Sequence, residues 1–290
     1  MAVKGRFADL HTHTTASDGT LTPSELVKLA AESGLSVLAI TDHDTVLGID
    51  EAQRSLPSGL DLVSGVEFSC LYDGNCAFKL HILGLGVDTG NPSLLAAVEL
   101  ARRARLRKHS LRLGYLKERF GIEFTEAEKE YLDTRPNVSK LHIARLLIDR
   151  GLCFTISDGI EKFMSAPDFP DGTIPAAVAI NAIKEAGGVS AYAHALGGES
   201  EGRLSFDEVA QRVKLLKDLG IGALECYYSR YNPTEIDFLL GLASECGLAV
   251  SGGSDFHGKN KTVRLGDTST LGTMTESESL TVLTQISDLA

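Results

Sequence analysis

Short, almost entirely apolar runs alternate with amphipathic segments along most of the chain. Because these runs lack the apolar–polar alternation of half-exposed strands, they predict parallel β-strands covered on both faces. The seven predicted strands are Phe7–Leu10, Val37–Thr41, Leu60–Ser69, Lys79–Leu85, Val189–Ala193, Ala223–Tyr228 and Ala249–Gly253.

Helical periodicity fills most of the intervals between these runs. One predicted helix begins at Thr22-Pro23-Ser24-Glu25, with a capping threonine, a proline and an acidic first turn, and ends at Gly34. Two others run from Ser205 to Leu219 and from about Pro233 to Cys246, each followed by glycine. This alternation predicts a parallel α/β fold.

Residues 91–171 interrupt the alternation, since no convincing strand lies there. We expect them to form a mostly helical inserted lid domain, with residues 1–90 and 172–290 forming the main domain. A basic segment lies inside the insertion. We expect most of its side chains to lie in solvent and one or two to reach a functional site. Its cations are Arg102, Arg103, Arg105, Arg107, Lys108, Arg112, Lys117 and Arg119.

Imidazoles and carboxylates follow the predicted strands. His11 and His13 are one residue apart, so on an extended segment both project to the same side. Candidates of this kind come from at least six strands. A closed, irregular barrel of about seven strands brings such ends to one rim, whereas an open sheet spreads them along a line. The candidates are His11, His13, Asp18, His43, Glu67, His81, His194, Asp255 and His257.

Such a mixed nitrogen and oxygen donor set indicates a site for divalent Mn, Fe or Zn. We expect Asp9, Asp42 and Asp44 to orient the ligands by accepting hydrogen bonds from imidazole N–H groups. His109 and His142 lie in the insertion without partner ligands, so a structural role is expected for both.

Composition limits the partners. Asp and Glu exceed Lys and Arg by 39 to 28, a net charge of −11, which argues against broad binding to duplex nucleic acid. Five scattered cysteines predict neither a disulfide framework nor a thiolate zinc site, and they favour a reducing cytoplasm. We expect no membrane span and no signal peptide.

The motifs themselves resemble a known family. Asp9-Leu10-His11-Thr12-His13, Ser17-Asp18-Gly19, Thr41-Asp42-His43-Asp44, Gly65-Val66-Glu67 and Gly253-Ser254-Asp255-Phe256-His257 follow one another in the order found in the PHP (polymerase and histidinol phosphatase) superfamily of metal-dependent phosphoesterases. The insertion and the segment Glu225-Cys226-Tyr227-Tyr228 resemble its stand-alone, TrpH/YciV-like branch. That branch acts on nucleoside phosphates and bisphosphates, cyclic phosphates or RNA 5′ ends. Ala195 stands where many relatives have proline.

This resemblance implies a distorted (β/α)7 barrel that holds two to three divalent ions. Carried over, it assigns the first ion to His11, His13, Glu67 and Asp255, the second to Glu67, His81 and His194, and the third to Asp18, His43 and His257. The predicted reaction is hydrolysis of a phosphate ester of a small substrate, such as a nucleotide, by a metal-bridging hydroxide. His194 or Asp18 would assist the leaving group. Predicted substrate contacts are Ser17, Arg135 and Arg145.

Three alternative functions were considered, of which the first stays open and the other two are disfavoured. An exonuclease that acts on short RNA or DNA would need stacking aromatics, for which Tyr227, Tyr228 and Tyr231 are candidates. A barrel amidohydrolase shares the His-x-His motif, but it usually needs a metal-bridging lysine, and no lysine follows a suitable strand here. A non-catalytic binding module is disfavoured because every ligand position is intact.

Overall fold

The protein is described by a computed structural model that covers residues 6–74, 76–134, 138–165, 172–198 and 202–286. Its described strands are β1 Phe7–Asp9, β2 Leu35–Ile40, β3 Asp61–Tyr72, β4 Phe78–Leu85, β5 Ile174–Pro175, β6 Val189–Tyr192, β7 Ala223–Tyr228, β8 Ala249–Gly253 and β9 Thr275–Glu276. They form one sheet in the order β8-β7-β6-β4-β3-β2-β1-β9, and β5 pairs with β3.

This sheet curls until β1 and β8 meet. Leu10 N donates to Gly252 O at 3.1 Å, and Asp255 N donates to His11 O at 2.8 Å. A Cβ atom at Gly253 would lie 2.4 Å from His11 N, so this close approach of the two backbones requires glycine. The predicted barrel of seven strands is confirmed, with β1–β4 and β6–β8 around it.

The expectation of parallel strands throughout is wrong at β4, which runs antiparallel to both β3 and β6. Only residues 73–77 separate β3 from β4, too few for the crossover that a parallel pair requires. The reversal changes where His81 lies. It sits near the start of β4, opposite Ser69 of β3, so it reaches the same rim as the carboxyl end of β3.

Helices cover the outside of the barrel and form most of the insertion. The predicted start of the first is confirmed, because Thr22 and Glu25 make reciprocal capping bonds and a proline follows the cap. The helices predicted after Ser205 and at Pro233 are also present. The described α-helices are α1 Pro23–Glu32, α2 Ile49–Arg54, α3 Pro92–Phe120, α4 Glu126–Asp133, α5 Lys140–Asp149, α6 Ile156–Met164, α7 Ala176–Glu185, α8 Phe206–Asp218 and α9 Pro233–Cys246.

The 29-residue helix α3 joins two hydrophobic cores. Its first half contributes Leu94, Ala97 and Ala101 to the core that the barrel shares with α7. Its second half contributes Leu116 to a separate core with α4, α5 and α6. The helix therefore holds the insertion against the barrel. Among the described helices, none is long and apolar enough to cross a membrane.

Candidate metal centre

The nine predicted ligands converge on one rim of the barrel. Segments that follow β1, β2, β6 and β8 supply most of them, β3 and β4 supply Glu67 and His81, and the loop after β1 supplies Asp18. Donor atoms of eight of them, all except His194, form three overlapping groups, within each of which all atoms lie within 4.8 Å of one another. The groups are His13, Asp18, His43 and His257; His11, His13 and Asp255; and His43, Glu67 and His81.

Glu67 lies at the middle of this arrangement, with its side chain only 1% exposed. Its two oxygens face five imidazole nitrogens at distances from 2.9 to 3.3 Å. These nitrogens are His11 Nε2, His13 Nε2, His43 Nδ1, His81 Nδ1 and His194 Nε2. One carboxylate thus touches members of all three groups, which is the position of a bridging ligand.

Several of these atoms are close together without being hydrogen-bonded. His11 Nε2, His13 Nε2 and Glu67 Oε2 are buried and have no hydrogen-bond partner within the described structure. A buried polar atom left in this way costs about 1–3 kcal/mol. Ligand atoms about 2.1 Å from one shared ion lie about 3.0–3.4 Å apart, which matches the separations around Glu67. The residues present therefore fit divalent cations.

These groups partly reproduce the expected division of ligands among ions. The group of His11, His13 and Asp255 corresponds to the first ion, which Glu67 would complete. The group that contains Asp18 corresponds to the third. The group of Glu67 and His81 contains His43 where His194 was expected, although His194 Nε2 lies 3.2 Å from both His81 Nδ1 and Glu67 Oε1.

The titratable groups of the centre strongly affect one another's pKa values. Burial raises the pKa of Glu67, yet His43, His81 and His11 together hold that pKa well below its usual range. Burial also opposes a charge on His13, but the nearby carboxylates of Asp255 and Glu67 raise its pKa to about 9. At His43 burial prevails and lowers the pKa to about 4. In the metal-free protein, protons therefore supply part of the positive charge that cations would bring.

One carboxylate oxygen of Asp255 faces the metal centre, and the other accepts hydrogen bonds from two side chains behind it. Oδ1 lies 3.5 Å from His11 Nε2 and 3.4 Å from His13 Nε2. Oδ2 accepts hydrogen bonds from the Tyr228 hydroxyl at 3.0 Å and from Lys261 Nζ at 2.6 Å. The sequence analysis missed these roles of Tyr228 and Lys261, because nothing in their spacing places them beside Asp255.

Two of the three tyrosines considered as a stacking platform, Tyr228 and Tyr231, are too buried to stack on a base. Tyr228 and Tyr231 are 1% and 0% exposed. Their hydroxyls are engaged inside the protein, that of Tyr228 with Asp255 and that of Tyr231 with Leu196 N at 3.0 Å. The corrected role for both side chains is packing and support, as is usual for aromatics in a core.

The expectation that Asp9, Asp42 and Asp44 orient imidazoles is also wrong. Among the described contacts, none of the three accepts a hydrogen bond from an imidazole ring. Each accepts a backbone N–H group instead: Asp9 from Ser254 at 2.9 Å, Asp42 from Thr14 at 2.7 Å and Asp44 from Ser69 at 3.0 Å. They fix the segments that carry the ligands, because carboxylates buried beside a loop satisfy its unpaired amides.

Glu225 performs the function expected of those aspartates. It is fully buried in β7, its Oε1 lies 2.9 Å from His11 Nδ1, and its Oε2 accepts the backbone N–H of His194 at 2.5 Å. His194 has a φ of 32°, a left-handed conformation that a non-glycine residue adopts only when its surroundings enforce it. A buried acid in an apolar strand is the signal that sequence analysis passed over.

The predicted substrate contacts have different positions. Arg145 is exposed and lines a cavity of about 240 Å³ together with Ser17, Asp18 and His142. The Ser17 hydroxyl donates to Asp42 at 2.5 Å, so it already has a partner. Arg135 lies outside the described residues.

Two histidines of the insertion stay outside the metal centre. His142 Nδ1 accepts the backbone N–H of Ser139 at 3.0 Å and so caps α5. His109 is buried in α3, where burial lowers its pKa to about 4. The structure thus gives His142 the structural role expected of it.

Comparisons with known proteins agree with this geometry. The family model for the PHP domain matches residues 9–149. A 5′-3′ exoribonuclease of Haemophilus influenzae is 32% identical, over 86% of this chain and 89% of the relative. A 3′,5′-nucleoside bisphosphate phosphatase of Chromobacterium violaceum is 30% identical, over 86% of both chains.

A solved structure is similar over almost its whole length. It is a Bifidobacterium adolescentis protein assigned as a metal-dependent phosphoesterase, 31% identical, with a TM-score of 0.80 over 97% of this chain and 96% of that one. The aligned part of the chain includes the barrel strands and the helices α3 to α6. The chain therefore belongs to the PHP domain family and is a metal-dependent phosphoesterase.

Proposed function

We propose that this protein hydrolyses a phosphate ester of a small nucleotide and uses two to three divalent cations held by residues of the rim. The observation that carries the proposal is the buried Glu67 carboxylate, which faces five imidazole nitrogens while its Oε2 has no hydrogen bond within the described structure. Bound cations would neutralise phosphate oxygens and activate a water for attack on phosphorus.

The open side of the centre suggests where a phosphate approaches. His11 and His13 are buried to 0% side-chain exposure, whereas His81, His43 and Asp18 keep 26%, 14% and 11%. A substrate would therefore arrive over those three side chains. The other ligands would hold their ions from the protein side.

A proton for the leaving oxygen was predicted to come from Asp18 or His194. Burial raises the pKa of Asp18, but His43 and His257 outweigh it and hold that pKa well below its usual range. A carboxylate that stays ionised suits cation binding better than proton donation. His194, which belongs to none of the three groups, is thus our proposed proton donor, and the other eight rim residues would hold the cations.

Cavities around the rim support a small substrate. Three of them, of about 180, 240 and 410 Å³, include His81, Asp18 and Asp255 respectively. Such volumes suit nucleotide-sized ligands or their parts rather than a duplex. The net charge of −11 and the burial of Tyr228 and Tyr231 also argue against a long strand. We propose Arg145 and Ser17 as contacts to the phosphate or ribose beside Asp18.

A second candidate function is 5′-3′ exoribonuclease activity, which the Haemophilus influenzae relative favours. The chemistry at phosphorus would be the same. The two functions differ in the length of RNA that the rim of the barrel accommodates.

A substrate panel tests the proposal. The manganese-loaded enzyme would be assayed for phosphate or nucleotide release from nucleoside monophosphates, nucleoside 3′,5′-bisphosphates, cyclic phosphates and 5′-phosphorylated oligoribonucleotides. We expect the highest kcat/KM on a mononucleotide. Faster turnover of oligoribonucleotides would favour the exonuclease. Turnover of an amide or lactone, with none of the phosphate esters cleaved, would show that the chemistry is that of an amidohydrolase.

A further inference from the structure

Both oxygens of the Asp255 carboxylate have defined partners. Oδ1 lies 3.5 Å from His11 Nε2 and 3.4 Å from His13 Nε2, within the group that would hold the first ion. Oδ2 accepts hydrogen bonds from the Tyr228 hydroxyl at 3.0 Å and from Lys261 Nζ at 2.6 Å. A carboxylate oxygen has two lone pairs, so these two donors use both of them. Asp255 therefore offers an ion only Oδ1.

The main chain that carries this carboxylate is also fixed. Asp255 has a φ of 57°, in the left-handed region, and its N–H donates to His11 O at 2.8 Å. A non-glycine residue keeps such a conformation only where its surroundings enforce it. Because the main chain and Oδ2 are both held, Oδ2 cannot turn towards an ion unless one of its two hydrogen bonds breaks.

Lys261 reaches Asp255 from a segment whose position is set by other contacts. It follows the single 3₁₀ turn Gly258–Asn260. Asn260 Nδ2 donates to Asp18 O at 2.7 Å, which ties this turn to the loop that carries another candidate ligand. The Lys261 side chain is only 18% exposed. Its ammonium group is thus part of the rim and does not lie free on the surface.

The two donors to Oδ2 differ in charge. The Tyr228 hydroxyl is neutral, whereas Lys261 carries an ammonium group. Burial opposes that charge, yet the carboxylates of the centre raise the pKa of Lys261 above its ordinary value. These carboxylates are Asp255, Asp18 and Glu67. The chain itself therefore supplies a fixed positive charge beside the metal ligands.

An ammonium group and a divalent cation would compete for the same carboxylate. They would repel each other across it, and such repulsion is screened less between partly buried charges than between exposed ones. In the empty centre, Lys261 compensates the charge of Asp255. A buried carboxylate that loses such a partner is strongly destabilised. Removal of the ammonium should therefore favour the ion-bound state over the empty one.

We propose that Lys261 controls the first ion of the centre through Asp255: its ammonium group restricts the carboxylate to one metal-facing oxygen and weakens the binding of that ion. Tyr228 donates to the same oxygen without a charge, so it only orients the carboxylate. An ion whose charge is less neutralised by its ligands attracts phosphate oxygens more strongly. This kinetic consequence rests on the proposed function, whereas the effect on metal affinity does not.

Two substitutions separate charge from hydrogen bonding. Lys261→Met removes the ammonium group, and Tyr228→Phe removes only a neutral hydroxyl. The affinity of metal-free protein for Mn²⁺ would be measured by competition with a chelator. We expect Lys261→Met to bind about 10- to 100-fold more tightly, because the ion then relieves an unpaired carboxylate. Tyr228→Phe should bind about 10-fold more weakly, as is usual when a ligand loses an orienting hydrogen bond.

Three further variants control for changes other than charge. Lys261→Arg keeps the charge and a donor, and the cavity of about 410 Å³ that Lys261 lines gives the longer side chain room, so its affinity should match the wild type. Lys259→Met, at an exposed position of the same turn, should also match it. Lys261→Gln keeps a donor without the charge. It should resemble Lys261→Met and replaces that variant in the measurement if Lys261→Met does not fold.

The visible absorption of Co²⁺, added to saturation, reports the number of ligands. Its intensity falls as the coordination number rises. In Lys261→Met one lone pair of Oδ2 is released and can join Oδ1 on the ion, so we expect weaker absorption than in the wild type or Lys261→Arg. A residue that served only the fold would leave this spectrum unchanged.

Turnover of the best substrate in the panel measures the kinetic consequence. At saturating Mn²⁺, kcat should fall by about 10-fold in Lys261→Met and stay near the wild-type value in Lys261→Arg. Weaker Mn²⁺ binding by both Lys261→Met and Tyr228→Phe would overturn the inference, because Lys261 would then only hold Asp255 in place. Unchanged affinity in Lys261→Met would also overturn it. Failure of every phosphate ester would instead refute the proposed function, and the affinities would still decide the role of Lys261.

Discussion

The metal centre and the cation pocket, a cavity lined by Lys79, Arg105, Lys108 and Arg112, lie side by side on one rim, yet they are built in opposite ways. Ligands of the centre come from many strand ends, most are buried, and several are held from behind, as Glu225 holds His11. The pocket draws three of its four cations from one face of a single helix. The comparison teaches that a site built at the ends of strands leaves a recognisable motif in the sequence. A site built on one face of a packed helix leaves only a cluster of basic residues.

The largest effect is expected from Glu67→Gln. Glutamine keeps the size of the side chain but removes the charge that five imidazole nitrogens surround. We expect metal content to fall and the rate to drop on the order of 10³-fold, since bound ions supply several kcal/mol of transition-state stabilisation. Elemental analysis and turnover of the best substrate measure both.

Glu245→Gln, an exposed change on α9, is the control for that variant and should alter neither quantity. Full metal content and rate in Glu67→Gln would remove the central ligand from the proposed centre. The comparison between the metal centre and the cation pocket would then no longer hold.

A smaller effect is expected from Glu225→Gln. An amide can still accept a hydrogen bond from His11, but its NH₂ group cannot accept the N–H of His194 if its oxygen is so engaged. Loss of such a support typically costs about 10- to 100-fold in metal affinity. Competition with a chelator measures the affinity directly. An unchanged affinity, with an unchanged circular dichroism spectrum, would show that Glu225 is a passive core residue.

Much of this architecture was predictable from the sequence. The seven barrel strands and the helix starts at Thr22 and Ser205 follow from apolar runs and capping residues, because both signals are local. The nine rim residues followed from their places at the ends of those runs. The location of His81 is an exception, since its strand is reversed by a short hairpin.

The features that the sequence did not predict depend on contacts between residues far apart along the chain. Glu225 lies 214 positions from His11, and Lys261 meets Asp255 only after the chain turns beyond β8. Both sides of α3 carry basic residues, so the packing of Leu94 and Leu116 into two cores decides which of them face solvent and which face the pocket. No local sequence pattern indicates which side of this helix packs against the protein.

The pH dependence of metal loading separates the two regions further. In the metal-free protein, the nearby carboxylates of Asp255 and Glu67 overcome the effect of burial and raise the pKa of His13 to about 9, so this ring is protonated at neutral pH. A cation that binds there must release the proton, and apparent affinity should rise about tenfold for each pH unit between about 6 and 8. His43, with a pKa lowered to about 4 by burial, adds nothing in that range.

Calorimetric titration in two buffers of different ionisation enthalpy counts the released protons. We expect at least one for a fully loaded centre. Arg112→Gln should leave the number unchanged, because Arg112 keeps its charge throughout this range. Proton-free loading would contradict the arrangement of charges around His13.

The smallest effect concerns the insertion alone. Arg150 Nε donates to Glu128 Oε1 at 2.7 Å and Nη2 bonds the other oxygen, and the hydrogen bonds to Arg150 lower the pKa of Glu128 to about 2. Since the folded-state pKa is depressed, the pair stabilises the protein above the ordinary glutamate pKa, and this contribution disappears as the pH falls towards 2. Glu128→Gln should therefore lower the free energy of unfolding by about 0.5–1 kcal/mol at pH 7 and by less at pH 3, as urea titration measures.

Lys129→Gln, which breaks a more exposed pair with Glu126 on the same helix, is its control and should change stability less. Metal content should be the same in both variants, because the core of α4, α5 and α6 shares no described residue with the metal centre. A loss of metal in Glu128→Gln would mean that α3 transmits the stability of the insertion to the rim. The pocket and the centre would then be one cooperative unit, and their different construction would not make them independent.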